Sequence, residues 1–394
     1  MPKVSPVLCL LAALAPAPAL AAESGQGARL LLDSRTRLES LEQDGPDALA
    51  LTTRLRLGVQ TPTYAGLTGL IEAEGVGVLI DNYADGVRPR PRYATIPDAE
   101  ILELNRAQVT WAPGPAGEAT IGRQRLAFDN QRFIGAVGWR QNEQTFDAVK
   151  LLARPVAGVT VNYGYAWRVN RSFGRDHPQG VWRGDIHMLN AEKAWKTGKL
   201  TGYAYLLDID EAPAQSSATV GVRLVGSRPM ASGYSATWEL EYARQSDWGN
   251  APADYSLDYI LASVGMKTQT SNLDLVLERF EGNGRQAFQT PLGTTHGFQG
   301  WSDVIGATPA DGLSDLYLRG SKRFDLGRPV KLTGEVHEFR DDSGDDEFGR
   351  ELDLSLGAPI AKGTNVEVGL GYFDSATPVY PDATRTWLSL EYRY

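Results

Sequence analysis

From Ala28 to Tyr394, apolar residues recur at every second position in one short segment after another. In Val159 to Val169, one parity carries Val159, Val161, Tyr163, Tyr165, Trp167 and Val169, and the other Thr160, Asn162, Gly164, Ala166 and Arg168. Tyr234 to Tyr242 repeats the pattern, with Tyr234, Ala236, Trp238, Leu240 and Tyr242 against Ser235, Thr237, Glu239 and Glu241. Period two sends successive side chains to opposite faces of a strand, so each segment has one apolar and one hydrophilic face. Leu51 to Gln60, Ala218 to Val225, Leu273 to Leu277, Leu352 to Leu356, Val366 to Tyr372 and Thr384 to Tyr394 follow the same rule. No stretch sustains the 3.6-residue period of an amphipathic helix. With the less regular stretches included, the chain is predicted to be all-β with about eighteen strands, sixteen being the nearest alternative.

The connections divide into two kinds. Short turns rich in Gly, Pro or Asn occur at 112–117, 154–158, 197–199, 226–233, 327–329 and 359–363. Longer polar segments lie between them, at 82–98, 127–143, 170–184, 247–254, 281–312, 341–349 and 374–383. Short turns on one rim and long loops on the other describe a transmembrane antiparallel β-barrel of the outer-membrane kind, turns periplasmic and loops outside. Tyr and Trp near strand ends, as at Trp167, Tyr242, Tyr372, Tyr392 and Tyr394, suit the two membrane interfaces. A soluble sandwich with these rings in its core is the competing reading.

The N-terminus fits that compartment. Lys3, the apolar run Val7 to Leu14 and the small residues around Ala19 to Ala22 read as a secretory signal peptide over residues 1–22. The single Cys of the chain, Cys9, falls inside it, so a disulfide scaffold is excluded. Residues 23–394 are then one barrel domain, at about 20 residues per strand and connection, enough for a spanning strand of about 9–11 residues plus its loop. Removing Lys3 and no acid changes the net charge from −9 to −10. An acidic chain argues against nucleic-acid binding. The last segment, Thr386-Trp-Leu-Ser-Leu-Glu-Tyr-Arg-Tyr394, alternates and ends on an aromatic ring. It resembles the C-terminal signature that barrel-assembly machinery recognises. The expected partners are therefore that machinery, outer-membrane lipid and lipopolysaccharide, and the expected state is a monomer.

Two stretches carry a more specific resemblance. Gly122-Arg-Gln124, Asp129-Asn-Gln-Arg-Phe-Ile-Gly135 and Gly138-Trp-Arg-Gln-Asn-Glu-Gln-Thr-Phe-Asp-Ala148 look like the alginate-export family of Gram-negative outer-membrane porins. Phe288-Gln-Thr-Pro-Leu-Gly-Thr-Thr-His-Gly-Phe-Gln-Gly-Trp-Ser-Asp303 is similar to a second family stretch, and the likeness extends over nearly the whole mature chain. The resemblance implies an eighteen-stranded barrel whose namesake passes the anionic polysaccharide alginate through a basic lumen. This chain is shorter than the namesake.

Strand parity gives candidate lumen residues without the family. Arg35 and Arg37 on the first strand, Arg54 and Arg56 on the second, and Arg385 and Arg393 on the last should point inward. Barrel closure sets the last strand beside the first, making one arginine strip. Guanidinium forks suit carboxylates, and a ladder of weak sites guides anions, either small molecules or polysaccharide. The bland alternative is a salt-bridge network: Glu72 and Glu74 face inward beside Arg54 and Arg56, and Asp33, Glu39 and Glu391 interleave the strip. Elsewhere inward Glu239, Glu241, Glu351, Asp353 and Glu367 are expected to oppose Arg168, Arg223, Arg319, Arg323 and Lys331. Segment 127–143, with Asp129, Asn130, Arg132, Trp139 and Arg140, is a candidate constriction loop, and an outer loop packed on the rim is its alternative. Segment 281–312 is too long for an idle turn. Its Phe288, Phe298 and Trp301 suggest a plug or a saccharide-stacking surface.

Catalysis and cofactors have little support. The histidines are His177, His187, His296 and His337, with no His-Glu-x-x-His pair and no thiol ligand in the mature chain, so no cofactor or metal is expected. His337 would support a hydrolase only if a serine and an acid converged on it. The acidic run 341–347 lacks EF-hand spacing and reads as a solvated loop, with Ca²⁺ as the alternative. The sequence therefore predicts a channel for anionic solutes, uronic-acid saccharides among them. The alternatives are an outer-membrane enzyme and a closed structural or adhesive barrel.

Overall fold

The structure is a computed structural model that describes residues 27–394. The expected signal segment, residues 1–22, lies outside the described residues. The chain forms β1 (Arg29–Gln43), β2 (Ala48–Gln60), β3 (Leu67–Asn82), β4 (Ile101–Gly114), β5 (Gly117–Gln124) and β6 (Thr145–Ala153). It continues with β7 (Val159–Asn170), β8 (Val181–Trp195), β9 (Gly198–Ile209), β10 (Ser217–Pro229), β11 (Ser235–Ser246) and β12 (Ser256–Lys267). The last third is β13 (Ser271–Phe280), β14 (Leu313–Asp325), β15 (Pro329–Arg340), β16 (Glu347–Ala361), β17 (Thr364–Ser375) and β18 (Ala383–Arg393). Every strand pairs antiparallel with its sequence neighbours, and β18 pairs with β1, so the 18-stranded sheet has no free edge. Closure leaves no strand edge unpaired in the wall, which a lipid environment requires.

The wall is inside out relative to a soluble protein. Along β16, Glu351 is 2% and Asp353 0% exposed, while Leu352 and Leu354 between them are 39% and 40% exposed. Leu316, Leu318, Val336, Val368, Leu388 and Leu390 continue this apolar outer surface on neighbouring strands. An apolar surface this extensive is stable only against lipid. Exposed Trp111, Trp195, Tyr234 and Phe324 ring the short-turn rim, and exposed Trp167, Tyr242, Trp248 and Tyr372 lie toward the other. No helix of the described residues is long and apolar enough to cross a membrane; the strands make the crossing.

Strand number, strand order and loop asymmetry agree with the sequence reading. The sorting of loops has one exception: the β1–β2 connection, Asp44 to Asp47, is short yet lies on the long-loop rim. Among the named lumen candidates, parity fails for one. A register shift beside Ala166 makes Trp167 a bulge, so Arg168 pairs with Asp147 on the outer face instead of pointing inward. A bulge inserts one residue and inverts every assignment beyond it, which alternation alone does not show.

Candidate functional site

The half of the lumen beneath the long-loop rim is filled by chain. The β3–β4 loop (83–100), the β5–β6 loop (125–144) and the β13–β14 loop (281–312) all bond to inward side chains of the wall; they are called L2, L3 and L7 below. L3 crosses from one wall to the other. Near its start Asp129 accepts hydrogen bonds from Asn190 on β8 at 2.6 Å and from Thr201 on β9 at 3.3 Å, and it lies 3.2 Å from the Lys199 ammonium. Arg132 then donates a two-pronged bond to Glu278 on β13, Nε to Oε1 at 2.8 Å and Nη2 to Oε2 at 3.2 Å. Phe280 and Phe298 stack on that guanidinium at 4.6 and 5.1 Å, and the Tyr259 hydroxyl donates to the same carboxylate at 2.7 Å. At its far end Arg140 lies 2.6 Å from Asp303 of L7 and 3.3 Å from Glu39 of β1. Asn130 turns its side chain back to the Arg132 amide at 3.1 Å.

L3 and L7 are joined to each other as well. Ile134 and Leu292 form a parallel bridge, the Gly135 amide donates to Leu292 O at 2.9 Å, and the Gln144 side chain donates to the carbonyls of both Gly135 and Leu292. Phe133 and Phe288 pack on Tyr203, Tyr205, Tyr259 and Phe280, giving the barrel an internal apolar core against β9, β12 and β13. Phe288 is fully buried there, so its ring has no face for a solute. Phe298 lines the larger cavity described below, and Trp301 sits edge-on to Trp387 at 5.7 Å. Trp139 stacks on His296 at 3.8 Å and lies edge-on to Trp387 at 5.0 Å. Gly371 on β17 lets the wall reach L7: a Cβ there would lie 2.7 Å from the Ser302 amide nitrogen.

The arginine strip forms, and most of it is buried under L3. Arg35 and Arg54 are directly opposite in the β1–β2 register. Arg35 donates to the Gln141 side chain and to the carbonyls of Gly138 and Arg140. Arg37 donates to Trp139 O at 2.7 Å and pairs with Asp98 of L2 at 2.5 Å. Arg54 pairs with Asp33, Arg56 with Glu74, and Arg385 with Glu39. Arg393 stands at the short-turn mouth, its side chain 65% exposed, beside Asp33 and Glu391. Glu74 is thus the partner of Arg56, whereas Glu72 takes a fork from Arg106 and a bond from Asn105.

The half nearer the short turns holds open space. A cavity of about 1130 Å³ lies against the β8–β9 turn and β9 to β14 and carries Lys196, Lys199, Lys267 and Arg319 with Glu239 and Asp274. A second, of about 500 Å³, lies against β14 to β18 and β1 and carries Arg35, Arg323, Lys331 and Arg393 with Glu367 and Glu391. Among the described residues, Lys196, Lys267, Arg323 and Lys331 make no ion pair, while Arg319 is held by Glu335 at 2.9 Å.

Burial alone would raise the Asp303 carboxyl, yet His296, Arg140 and Arg385 around it hold it well below the usual carboxylate range. The histidines meet acids, a phenol or backbone: His296 bonds Asp303 and His337 bonds Asp315, both at 3.0 Å, His187 meets the Tyr163 hydroxyl, and His177 accepts from the Gln179 amide. No serine hydroxyl among the described residues hydrogen-bonds to any of them. In the acidic 341–347 segment, Asp341 accepts from Ser343 and the Asp346 amide, and Asp342 faces Arg279 at 3.5 Å. These acids bond to their own loop and rim, and do not converge on one point.

Several of these residues were invisible to strand parity. Asp98, Glu143 and Asp303 sit on loops, where no periodicity predicts direction, and each closes a pair with a wall arginine or with Arg140. Lys199 and Lys267 occupy inward positions of β9 and β12, and the structure puts them in one cavity.

A closed eighteen-stranded antiparallel barrel with an apolar outer belt, a charged interior and inserted loops is a porin-type barrel of the Gram-negative outer-membrane class. The family model described as alginate export matches residues 88–171. That span runs from within L2 through L3 to the end of β7; it holds the first of the two resembling stretches and leaves the second, 288–303, outside. Among solved structures, OccAB3 of Acinetobacter baumannii superposes with a TM-score of 0.75 at 13% identity, covering 93% of this chain and 99% of that one. OpdL of Pseudomonas aeruginosa gives 0.69 at 16% identity, covering 93% and 98%. OpdK of Pseudomonas aeruginosa, crystallised with vanillate, gives 0.72 at 14% identity, covering 93% and 98%. At these identities the likeness is one of fold. No curated protein matches by sequence.

Proposed function

We propose that this barrel is a monomeric outer-membrane channel through which small carboxylate-bearing solutes, short uronic-acid saccharides among them, diffuse down their gradients. The carrying observation is the charge of the two periplasmic cavities. In a chain of net charge −9, they present eight basic against four acidic side chains, and four of the basic ones are unpaired. Unpaired cations in a low-dielectric vestibule raise the local concentration of anions. An eighteen-stranded barrel is too wide for its wall side chains alone to fill, which favours a channel over a closed structural barrel. L3 and L7 narrow the path, so the reading favours single sugars and short chains over a long polymer.

Purified protein in a planar bilayer under a KCl gradient tests this directly. Stepwise conductance with a reversal potential on the anion-selective side is expected, and glucuronate should reduce the chloride current. Absence of conductance would remove the channel reading. Conductance with cation selectivity would leave a channel and remove the carboxylate assignment.

A further inference from the structure

Where L7 meets β14, β15 and β16, negative charge is concentrated among buried side chains with little compensating charge. Asp315, Glu335, Glu351 and Asp353 are all buried there, with Arg319 and His337 as the cations in contact. Even a protonated imidazole leaves these four carboxylates facing two cations. Tyr317 and Phe339 stack on the two sides of His337, at 4.6 and 5.2 Å, so its environment in the ring plane is acidic and across it aromatic. Carboxylates buried in such surroundings either take up a proton or gain a counter-charge.

We propose that Glu335, His337 and Asp353 form a site for one divalent transition-metal cation of the zinc type, lying between the barrel wall and L7. Ligand atoms of these three residues lie within 4.8 Å of one another, and among the described residues no other such group of three occurs. The His337 Nε2 is the independent indication. It is buried, has no hydrogen-bond partner, and points between Glu335 Oε2 at 3.4 Å and Asp353 Oδ2 at 3.6 Å. Those separations are long for hydrogen bonds and match the edge of a ligand tetrahedron: metal bonds of about 2.1 Å give edges of about 3.4 Å. The opposite nitrogen, Nδ1, is 3.0 Å from both oxygens of Asp315. A carboxylate behind a histidine fixes the tautomer whose other nitrogen offers a lone pair, which is the usual support of a histidine ligand. Asp353 also has a buried, unpartnered oxygen, Oδ1. A nitrogen-plus-carboxylate donor set selects zinc-like ions over Mg²⁺ or Ca²⁺, which take oxygen ligands.

The cation would tie L7 to the wall. The amide of Trp301 donates to Asp353 at 3.3 Å, and the Ser302 amide and hydroxyl both donate to Glu351 at 2.6 Å. Asp353, one of the three ligands, also accepts from the L7 backbone, so loading the site fixes an acid that L7 already holds. Loading therefore stabilises the loop in its inserted position, whatever solute the channel carries.

The test uses the full refolded barrel in detergent, stripped with chelator and titrated with Co²⁺ and then Zn²⁺. One Co²⁺ per chain is expected, with the intense visible absorption of a tetrahedral site, displaced by Zn²⁺. His337→Gln and Asp353→Asn should each abolish the band, and Asp315→Asn should weaken affinity by about 10–100-fold. Compact electrophoretic mobility without boiling identifies variants that have folded. Asp345→Asn, in the exposed β15–β16 loop, is the control and should leave uptake unchanged. Failure of the wild-type barrel to take up stoichiometric metal overturns the proposal and leaves an imidazolium among carboxylates. Uptake that persists in folded His337→Gln and Asp353→Asn overturns it equally, by placing the metal elsewhere.

Discussion

The upper and lower halves of the lumen are both charged, but they treat charge in opposite ways. Above, beneath the long loops, Arg37, Arg54, Arg56, Arg132, Arg140 and Arg385 are each matched to a carboxylate and buried by L2, L3 and L7. Below, near the short turns, Lys196, Lys267, Arg323 and Lys331 face open cavities with no acid in contact. Matched buried pairs fix geometry and present little net field, whereas unmatched cations beside water attract anions without binding them firmly. In the upper half, charge works as architecture. In the lower half, it is available to a solute.

Breaking the architecture at its centre should have the largest effect. Arg132→Ala leaves Glu278 buried among Tyr259, Phe280 and Phe288, and removing one member of a buried pair costs about 3–5 kcal/mol. L3 should then loosen from the β13 wall, and single-channel conductance should rise severalfold with frequent large fluctuations. Arg132→Lys keeps the charge without the fork and should fall between wild type and Ala. Unchanged conductance in Arg132→Ala would mean that the Phe133 and Phe288 contacts, the Ile134–Leu292 bridge and the other L3 bonds hold the loop without this pair.

A smaller effect separates the two halves by selectivity. Lys267→Glu combined with Lys331→Glu should move the reversal potential clearly toward cations while leaving folding intact, because both side chains are exposed and unpaired. Arg54→Ala combined with Arg56→Ala should lower anion preference less than this, and should reduce resistance to heat unfolding instead. The opposite ranking would show that the buried ladder, and not the vestibule, guides anions. Raising the salt concentration should diminish the first effect, since exposed charges are screened over about 10 Å at 0.1 M.

The wall was legible in the sequence and the plug was not, for a physical reason. A strand in lipid must alternate, so Leu352 and Leu354 announce their outward direction and Glu351 and Asp353 their inward one. The same parity correctly turned Arg35, Arg37, Arg54, Arg56, Glu72, Glu74 and Arg385 inward. It failed at Arg168, where the bulge at Trp167 shifts the count. Loops carry no such constraint. Arg132 was singled out from composition and family resemblance, but its fork to Glu278 joins residues 146 positions apart. The His337 cluster shows the same limit, because alternation places Asp315, Glu335, His337 and Asp353 on the inner face without saying that β14, β15 and β16 bring them to one height.

The finest test concerns the link between L7 and the arginine strip, and it predicts a near absence of change. Asp303 sits 2.6 Å from Arg140, 3.0 Å from His296 and 3.8 Å from Arg385. Burial works to raise its carboxyl, but these three neighbours outweigh burial and hold it below the usual range. A carboxyl depressed by folding contributes stability above its unfolded value, about 3.9, and loses it only as pH falls through the lower folded value. Lowering the pH from 7 to 5 should therefore leave the Asp303 link intact, and conductance should stay within its ordinary scatter. Asp303→Asn removes the charge at every pH and leaves Arg140 with Glu39 alone, so it should add brief openings already at pH 7. If the wild-type channel gained the same openings by pH 5, the arginine-held carboxylate would not be the group that keeps L7 in place, and the apolar half of the plug would carry that role.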